Sequence, residues 1–245
     1  MKKRKLIPDY IKKSIQPNST EGSFYASVLL IDVVGFTALT DNLVKQDIEG
    51  AEILYSILNR FFTNSLKKIY NNQGFISSFE GDGFVALFPA LDKNSILRTI
   101  KAAIDIQHFF KQNGKVKTKF GKYDIQVKIN ITYGLIIWKI IQNYNVYYAF
   151  SKAIDRARQQ NSNCLANQII LDKYLKNKLK DNFINYTARE NYFIFKKLNN
   201  KSIFQNLESS KLTSITYSNQ YEFLNIDYEG EFKDIITCFL QIKES

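Results

Sequence analysis

FYASVLLIDVVGFT, residues 24–37, is where the fold of this chain becomes readable. Up to Val34 it runs almost unbroken through apolar and β-branched side chains, the composition of a strand buried on both faces of a sheet. One acid, Asp32, interrupts the run. A carboxylate in such a strand is costly unless it is paired, protonated or bound to a cation, so Asp32 requires a partner. Beyond Gly35, Phe36 and Thr37 the period changes. Leu54, Leu58, Phe61, Phe62 and Ile69 recur near every third or fourth residue, which predicts a helix packed on the sheet and ending at Asn71, Asn72 and Gly74.

The partner for Asp32 comes from FISSFEGDGFVALF, residues 75–88. Two short apolar runs flank Glu80, Gly81, Asp82 and Gly83, and Asp-Gly tolerates positive φ, so the segment reads as a hairpin with Asp82 at its tip. If that hairpin lies beside strand 24–34, the two carboxylates meet at one end of the sheet. Paired carboxylate oxygens suit two magnesium ions, with phosphate oxygens filling the remaining positions. Gly35, Phe36 and Thr37 leave the strand in a turn before a helix and present backbone amides to phosphate. Taken singly, Asp32 is an ordinary strand-end cap and Asp82 an ordinary turn residue; the two together, with the turn between them, point to metal. Glu80 reads either as a turn-flanking surface acid or as an extension of the metal site.

Further along, the pattern predicts a helix over 95–112 and a half-buried strand carrying Ile125, Val127, Ile129 and Ile131 on one face. A short strand at 146–148, a helix holding Arg156 and Arg158, and a strand at 168–171 follow, giving the order β-α-β-β-α-β with further elements. The tail from 183 holds strand-like NYFIFKKL, then ITYSNQYEFLNID and an amphipathic FKDIITCFLQI, with no visible chemistry. The chain thus divides into a basic lead-in (1–20), a main domain (21–182) and a C-terminal part (183–245) that completes the domain or forms a small subdomain.

Composition narrows the function classes. A hydrophobic content of 45% over 245 residues supports a sizeable core. No apolar run reaches the ~18 residues of a membrane span, and MKKRKLIPDYIKK lacks the apolar stretch of a signal peptide, so a cytoplasmic protein is expected. Cys164 and Cys238 have no CxxC spacing, and with a single His108 they make no zinc site; reduced thiols are expected. His108 itself, four residues after Ile104 on an amphipathic helix, is expected at the edge of the core. The 34 basic and 23 acidic residues leave a net charge of +11, but the lysines are scattered rather than striped, which argues against nucleic acid as a partner. The exception is the lead-in, where Lys2, Lys3, Arg4, Lys5, Lys12 and Lys13 suggest a solvated arm.

LLIDVVGFTALT and FEGDGFVALF resemble the two signatures of class III adenylyl and guanylyl cyclases, and the resemblance extends from about residue 24 to 175, through the ITYG strand. LIPDYIKKSI and AIDRARQQNSNCLANQIILD are similar to the first catalytic half of bicarbonate-responsive soluble adenylyl cyclases. The resemblance implies an α+β, ferredoxin-like domain with a βαββαβ core, a mostly antiparallel sheet and flanking helices. It implies that Asp32, Asp82 and the Val33 carbonyl bind two Mg2+ or Mn2+ ions, and that Gly35, Phe36 and Thr37 hold the phosphates of a nucleoside triphosphate. It further implies a homodimer, or a heterodimer with another cyclase domain, whose sites are shared between subunits, closing the substrate to a 3′,5′-cyclic nucleotide.

The chain departs from that pattern where the base and transition state are handled. The purine-selecting position is Ser78, the other base-reading position is Tyr148, and the usual Asn-x-x-x-Arg pair aligns to Asp155 and Gln159. Arg158 and Arg156 are the cations available nearby. Two outcomes stay open: a cyclase of unusual base choice, purine or pyrimidine, or a degenerate subunit that binds nucleotide or metal and serves another cyclase.

Overall fold

The computed structural model describes residues 7–14, 20–141, 146–179 and 183–199. The predicted strand is β1 (Glu21–Val34), followed by α2 (Phe36–Leu43), a 3-10 turn (Val44–Gln46) and the long α3 (Asp47–Asn71). The hairpin is β2 (Phe75–Glu80) and β3 (Gly83–Pro89), after which come α4 (Ser95–Asn113), a small β4–β5 hairpin (Lys115–Thr118, Gly121–Asp124) and the long β6 (Gln126–Ile141). Then follow β7 (Val146–Phe150), α5 (Lys152–Gln160), a 3-10 turn (Asn161–Asn163), β8 (Ile169–Asp172) and α6 (Lys173–Lys178). Last among the described residues are β9 (Ile184–Ala188) and β10 (Tyr192–Leu198), while α1 (Asp9–Ser14) precedes the sheet.

The main sheet runs β2-β3-β1-β6-β8-β10-β9, with β7 on the far end of β6. Its first four strands give the ferredoxin-like order, and among the described residues only the β6–β8 pairing is parallel. The α+β expectation is therefore borne out. β1 lies between β3 and β6 and is paired to β6 along its whole length, from Glu21–Lys139 to Val34–Gln126. This central position explains its apolar run on both faces.

Strand alternation sorts the core into two layers. Leu29, Ile31 and Val33 face α2, α3 and α4 together with Phe84, Ala86, Ile129 and Ile131. Ala26, Val28 and Leu30 face α5 and α1 together with Val85, Leu87 and Trp138. Asp32 continues the second set. β6 was expected to be half-buried, but at its centre Asn130 and Thr132 are as buried as Ile129 and Ile131, because α5 and its following turn cover the face that alternation makes polar.

The lysine run hides a docked segment. Ile7 and Ile11 are buried, and Tyr10 stacks on Phe75 with ring centroids 5.6 Å apart. Their spacing places all three on one side of a helical turn, so residues 7–14 are no solvated arm. Lys2, Lys3, Arg4 and Lys5 lie outside the described residues, as do ITYSNQYEFLNID, FKDIITCFLQI and Cys238. His108 is exposed rather than at the core edge, since Ile106 and Phe110 carry the buried face of α4 past it.

Candidate active site

Two glycines let backbones touch at this end of the sheet, and one of them brings the Asp82 hairpin up to Asp32. A Cβ on Gly83 would lie 2.2 Å from the Ile31 carbonyl, so only glycine lets the hairpin end stand against β1 one residue before Asp32. The loop is the two residues Gly81-Asp82 between the paired Glu80 and Gly83. Its positive φ (61°) falls on Gly81, not on Asp82 or Gly83, the first loop position favoured by type II′ hairpins. Gly35 provides the second close approach. It has φ 89° and a Cβ there would meet the Asp124 carbonyl at 2.5 Å. The chain turns there directly from β1 into α2, leaving the Phe36 and Thr37 amides in the first turn of the helix, where backbone donors have no intrahelical acceptor.

The two carboxylates feel each other. Burial lifts Asp82 above the usual carboxylate range, its own backbone amide pulls it back, and the charge on Asp32 adds to the rise. Asp32 is more heavily partnered. Its Oδ2 accepts from Asn161 Nδ2 at 2.9 Å, and Lys128, directly opposite on β6, brings its Nζ to 3.8 Å. The donor set, two hard carboxylates, fits Mg2+ or Mn2+. Among the described residues no cluster of three His, Cys, Asp or Glu side chains forms, so a cation here would draw its other ligands from backbone, water and substrate phosphate.

A cleft of about 120 Å³ is lined by Leu30, Ile31, Asp32, Glu80, Gly83, Arg158 and Asn161. A bulge in β2 shapes it. Ile76 pairs with Ala86 but Ser78 with Val85, so Ser77 is the extra residue and the alternation resets. Ser78 and Glu80 thereby share the α5 face with Val85, and Glu80 is part of the cleft rather than a surface acid. Arg158 Nε lies 3.2 Å from both Glu80 oxygens, with Nη2 donating to Oε1. Asp155 stands 3.6 Å from Arg158, and Ser78 Oγ 3.3 Å from Glu80. The Glu80 hydrogen bond, more than either nearby charge, holds the guanidinium pKa above its ordinary value.

Arg156 and Tyr148 go elsewhere. Arg156 Nε donates to the buried Asp172 at 2.9 Å and Nη2 to the Tyr133 carbonyl at 2.7 Å, while the guanidinium covers the Tyr174 ring. Tyr148 is 55% exposed on β7 opposite Lys139, eleven residues along β6 from the Lys128 that faces Asp32. That is ~35 Å at about 3.3 Å per residue. Val33 is buried beside Asp32, and Gln159 is exposed. Sequence reasoning missed Asn161, Lys128 and Asn130. The available signal was Lys128, Asn130 and Thr132, a polar series on the face opposite Ile129 and Ile131.

Comparison with known proteins agrees with the architecture. The family model described as the adenylate and guanylate cyclase catalytic domain matches residues 20–206. Adenylate cyclase type 10 of Oryctolagus cuniculus is 29% identical over 175 residues, covering 67% of this chain and 11% of that protein. The terminal-differentiation-specific adenylate cyclase of Dictyostelium discoideum is 27% identical over 108 residues, covering 41% and 5%. The chain spans about a tenth or less of the length of these curated relatives. Among solved structures, the guanylate cyclase domain of RhGC from Catenaria anguillulae in complex with GTP superposes with a TM-score of 0.59 at 15% identity, covering 74% of this chain and 100% of that one. The adenylyl cyclase CyaB from P. aeruginosa gives 0.54 at 19%, covering 71% and 94%. No described helix is long and apolar enough to cross a membrane.

Proposed function

Because the chain belongs to the adenylate and guanylate cyclase catalytic domain family, we propose that it converts a nucleoside triphosphate to a 3′,5′-cyclic nucleotide and pyrophosphate. One observation supports this: Gly83, next to Asp82, stands against the backbone of Ile31 and Asp32, close enough for the charge on Asp32 to act on Asp82. Asp32, Asp82 and the Val33 carbonyl would hold two Mg2+ or Mn2+ ions, which when bound lower the pKa of the ribose hydroxyl and offset the phosphate charge. The amides of Gly35, just before α2, and of Phe36 and Thr37 in its first turn donate to phosphate oxygens. The ribose 3′-oxygen then bonds to the α-phosphorus, the bond to the β-phosphate oxygen breaks, and the hydroxyl proton passes to solvent. Hydrogen-bond donors fixed before the reaction cost no reorganisation when the charge moves.

A second cyclase domain completes the site, either another copy or a complementary chain. Tyr148 supports this, because it lies too far along β6 to reach Asp32 of its own chain. Ser78 and Tyr148 set the base, purine or pyrimidine. The alternative is a subunit that binds nucleotide and serves another cyclase. It is favoured by the engagement of both arginines, Arg158 with Glu80 and Arg156 with Asp172. Incubation with ATP, GTP, CTP and UTP separately, plus manganese, tests the two readings by mass spectrometry. A cyclic product absent from Asp32→Ala supports the enzyme and names its base; silence with all four leaves the subunit reading.

A further inference from the structure

Asn161 opens the 3-10 turn after α5, and its backbone is held at both ends. Its amide donates to the Arg158 carbonyl, and its carbonyl accepts from the Cys164 amide at 3.2 Å. The side chain is held as firmly: Nδ2 donates to Asp32 Oδ2 and Oδ1 accepts from Asn130 Nδ2, each at 2.9 Å. A carboxylate only accepts, so the direction of this relay is set from its Asp32 end. Asn130 is fully buried in β6 and its own Oδ1 has no partner. An unmet buried acceptor costs about 1–3 kcal/mol, so packing alone gives no reason for an amide there.

Two donors contest the same oxygen of Asp32. The Asn161 amide has it at 2.9 Å, while the Lys128 ammonium stands off at 3.8 Å. The difference is chemical. A neutral amide fixes a carboxylate without cancelling its charge, whereas an ammonium at hydrogen-bond distance would neutralise it and compete with a cation. We propose that Asn161, anchored by Asn130, is a positioning residue that holds Oδ2 of Asp32 and keeps Lys128 from closing on it, so that Asp32 stays available to a divalent cation. The inference rests on the metal reading of Asp32 and Asp82. Hydrogen-bond partners of metal ligands typically change metal affinity about 10–100-fold when removed.

The test is Mn2+ binding to the full chain without nucleotide, followed by the electron paramagnetic resonance of free Mn2+, with a thermal melt on each variant. Asn161→Ala is expected to weaken Asp32-dependent binding about 10-fold with a cooperative melt retained, and Lys128→Met in the same chain to restore most of the loss. A merely structural role for Asn161 predicts no such rescue, so failure of Lys128→Met to restore binding overturns the inference. Wild-type affinity in Asn161→Ala does so as well. If Asn161→Ala does not fold, the near-isosteric Asn130→Leu removes the anchor instead; weaker binding is expected and unchanged binding overturns the proposal. Mn2+ binding that Asp32→Ala leaves intact, or no binding at all, sinks the metal reading and the inference together.

Discussion

At the scale of single residues, Asp82 carries a prediction whose sign follows from its surroundings. Because burial and Asp32 raise its pKa, the folded protein holds this proton more tightly than the unfolded chain. The associated stability is fully present below the unfolded carboxyl value near ~3.9 and is lost as pH rises through the raised folded value. Asp82→Asn should therefore melt higher than wild type at pH 7 in EDTA, with the difference vanishing near pH 4, and yield no cyclic product. A lower melting temperature at pH 7 would mean that ionised Asp82 makes a stabilising contact the structure lacks. The nearness of Asp32 and Asp82 was legible in the sequence because Asp32 is an acid in an apolar run that needs a partner, and the Asp-Gly turn marks the hairpin that brings one. Asn161 was not, since an asparagine in QQNSN looks like any polar turn residue until a strand 129 positions earlier in the chain is folded against it.

At the scale of elements, the hairpin is the part most exposed to small changes. Gly83→Ala puts a methyl group into the Ile31 carbonyl, and backbone cannot yield as a flexible side chain can. The tip should lift from β1, costing about 1–3 kcal/mol and lowering Mn2+ affinity more than tenfold; a denaturant titration and the Mn2+ assay read the two effects separately. Element type was easy to foresee here, as hydrophobic period and Asp-Gly chemistry are local. The bulge between Ile76 and Ser78 was not, because it shows only in the pairing of β2 with β3, which no local pattern in FISSFE records. With it went the placement of Ser78 and Glu80 on the α5 face, and so the Arg158 contact. The half-buried expectation for β6 failed for a related reason: Asn130 and Thr132 are polar because α5 and its turn supply acceptors, as in the Thr132 hydroxyl donating to the Ala153 carbonyl at 2.7 Å.

At the scale of the whole molecule, part of one face of the sheet is left uncovered among the described residues, where β6 outruns the helices. Tyr25, Leu135, Ile137, Tyr148 and Phe150 share that face by strand register and are all exposed. Contiguous apolar surface of this kind marks an interaction site, and under the two-domain reading it is covered by the second cyclase domain. Phe150→Glu should shift light scattering toward the monomer and abolish turnover, yet leave Mn2+ binding at Asp32 unchanged; a monomeric wild type with full turnover would remove the need for a second domain.

The docked N-terminal turn has a practical side. Ile7, Tyr10 and Ile11 roof the aromatic pair Phe24 and Phe75, and Phe75 begins the strand that ends in the Asp82 hairpin. Trimming the chain back to residue 20 to remove its lysines would strip a lid from a greasy floor. The shortened protein would trade charge for stickiness, and any activity lost would report a loosened hairpin rather than a missing catalytic group.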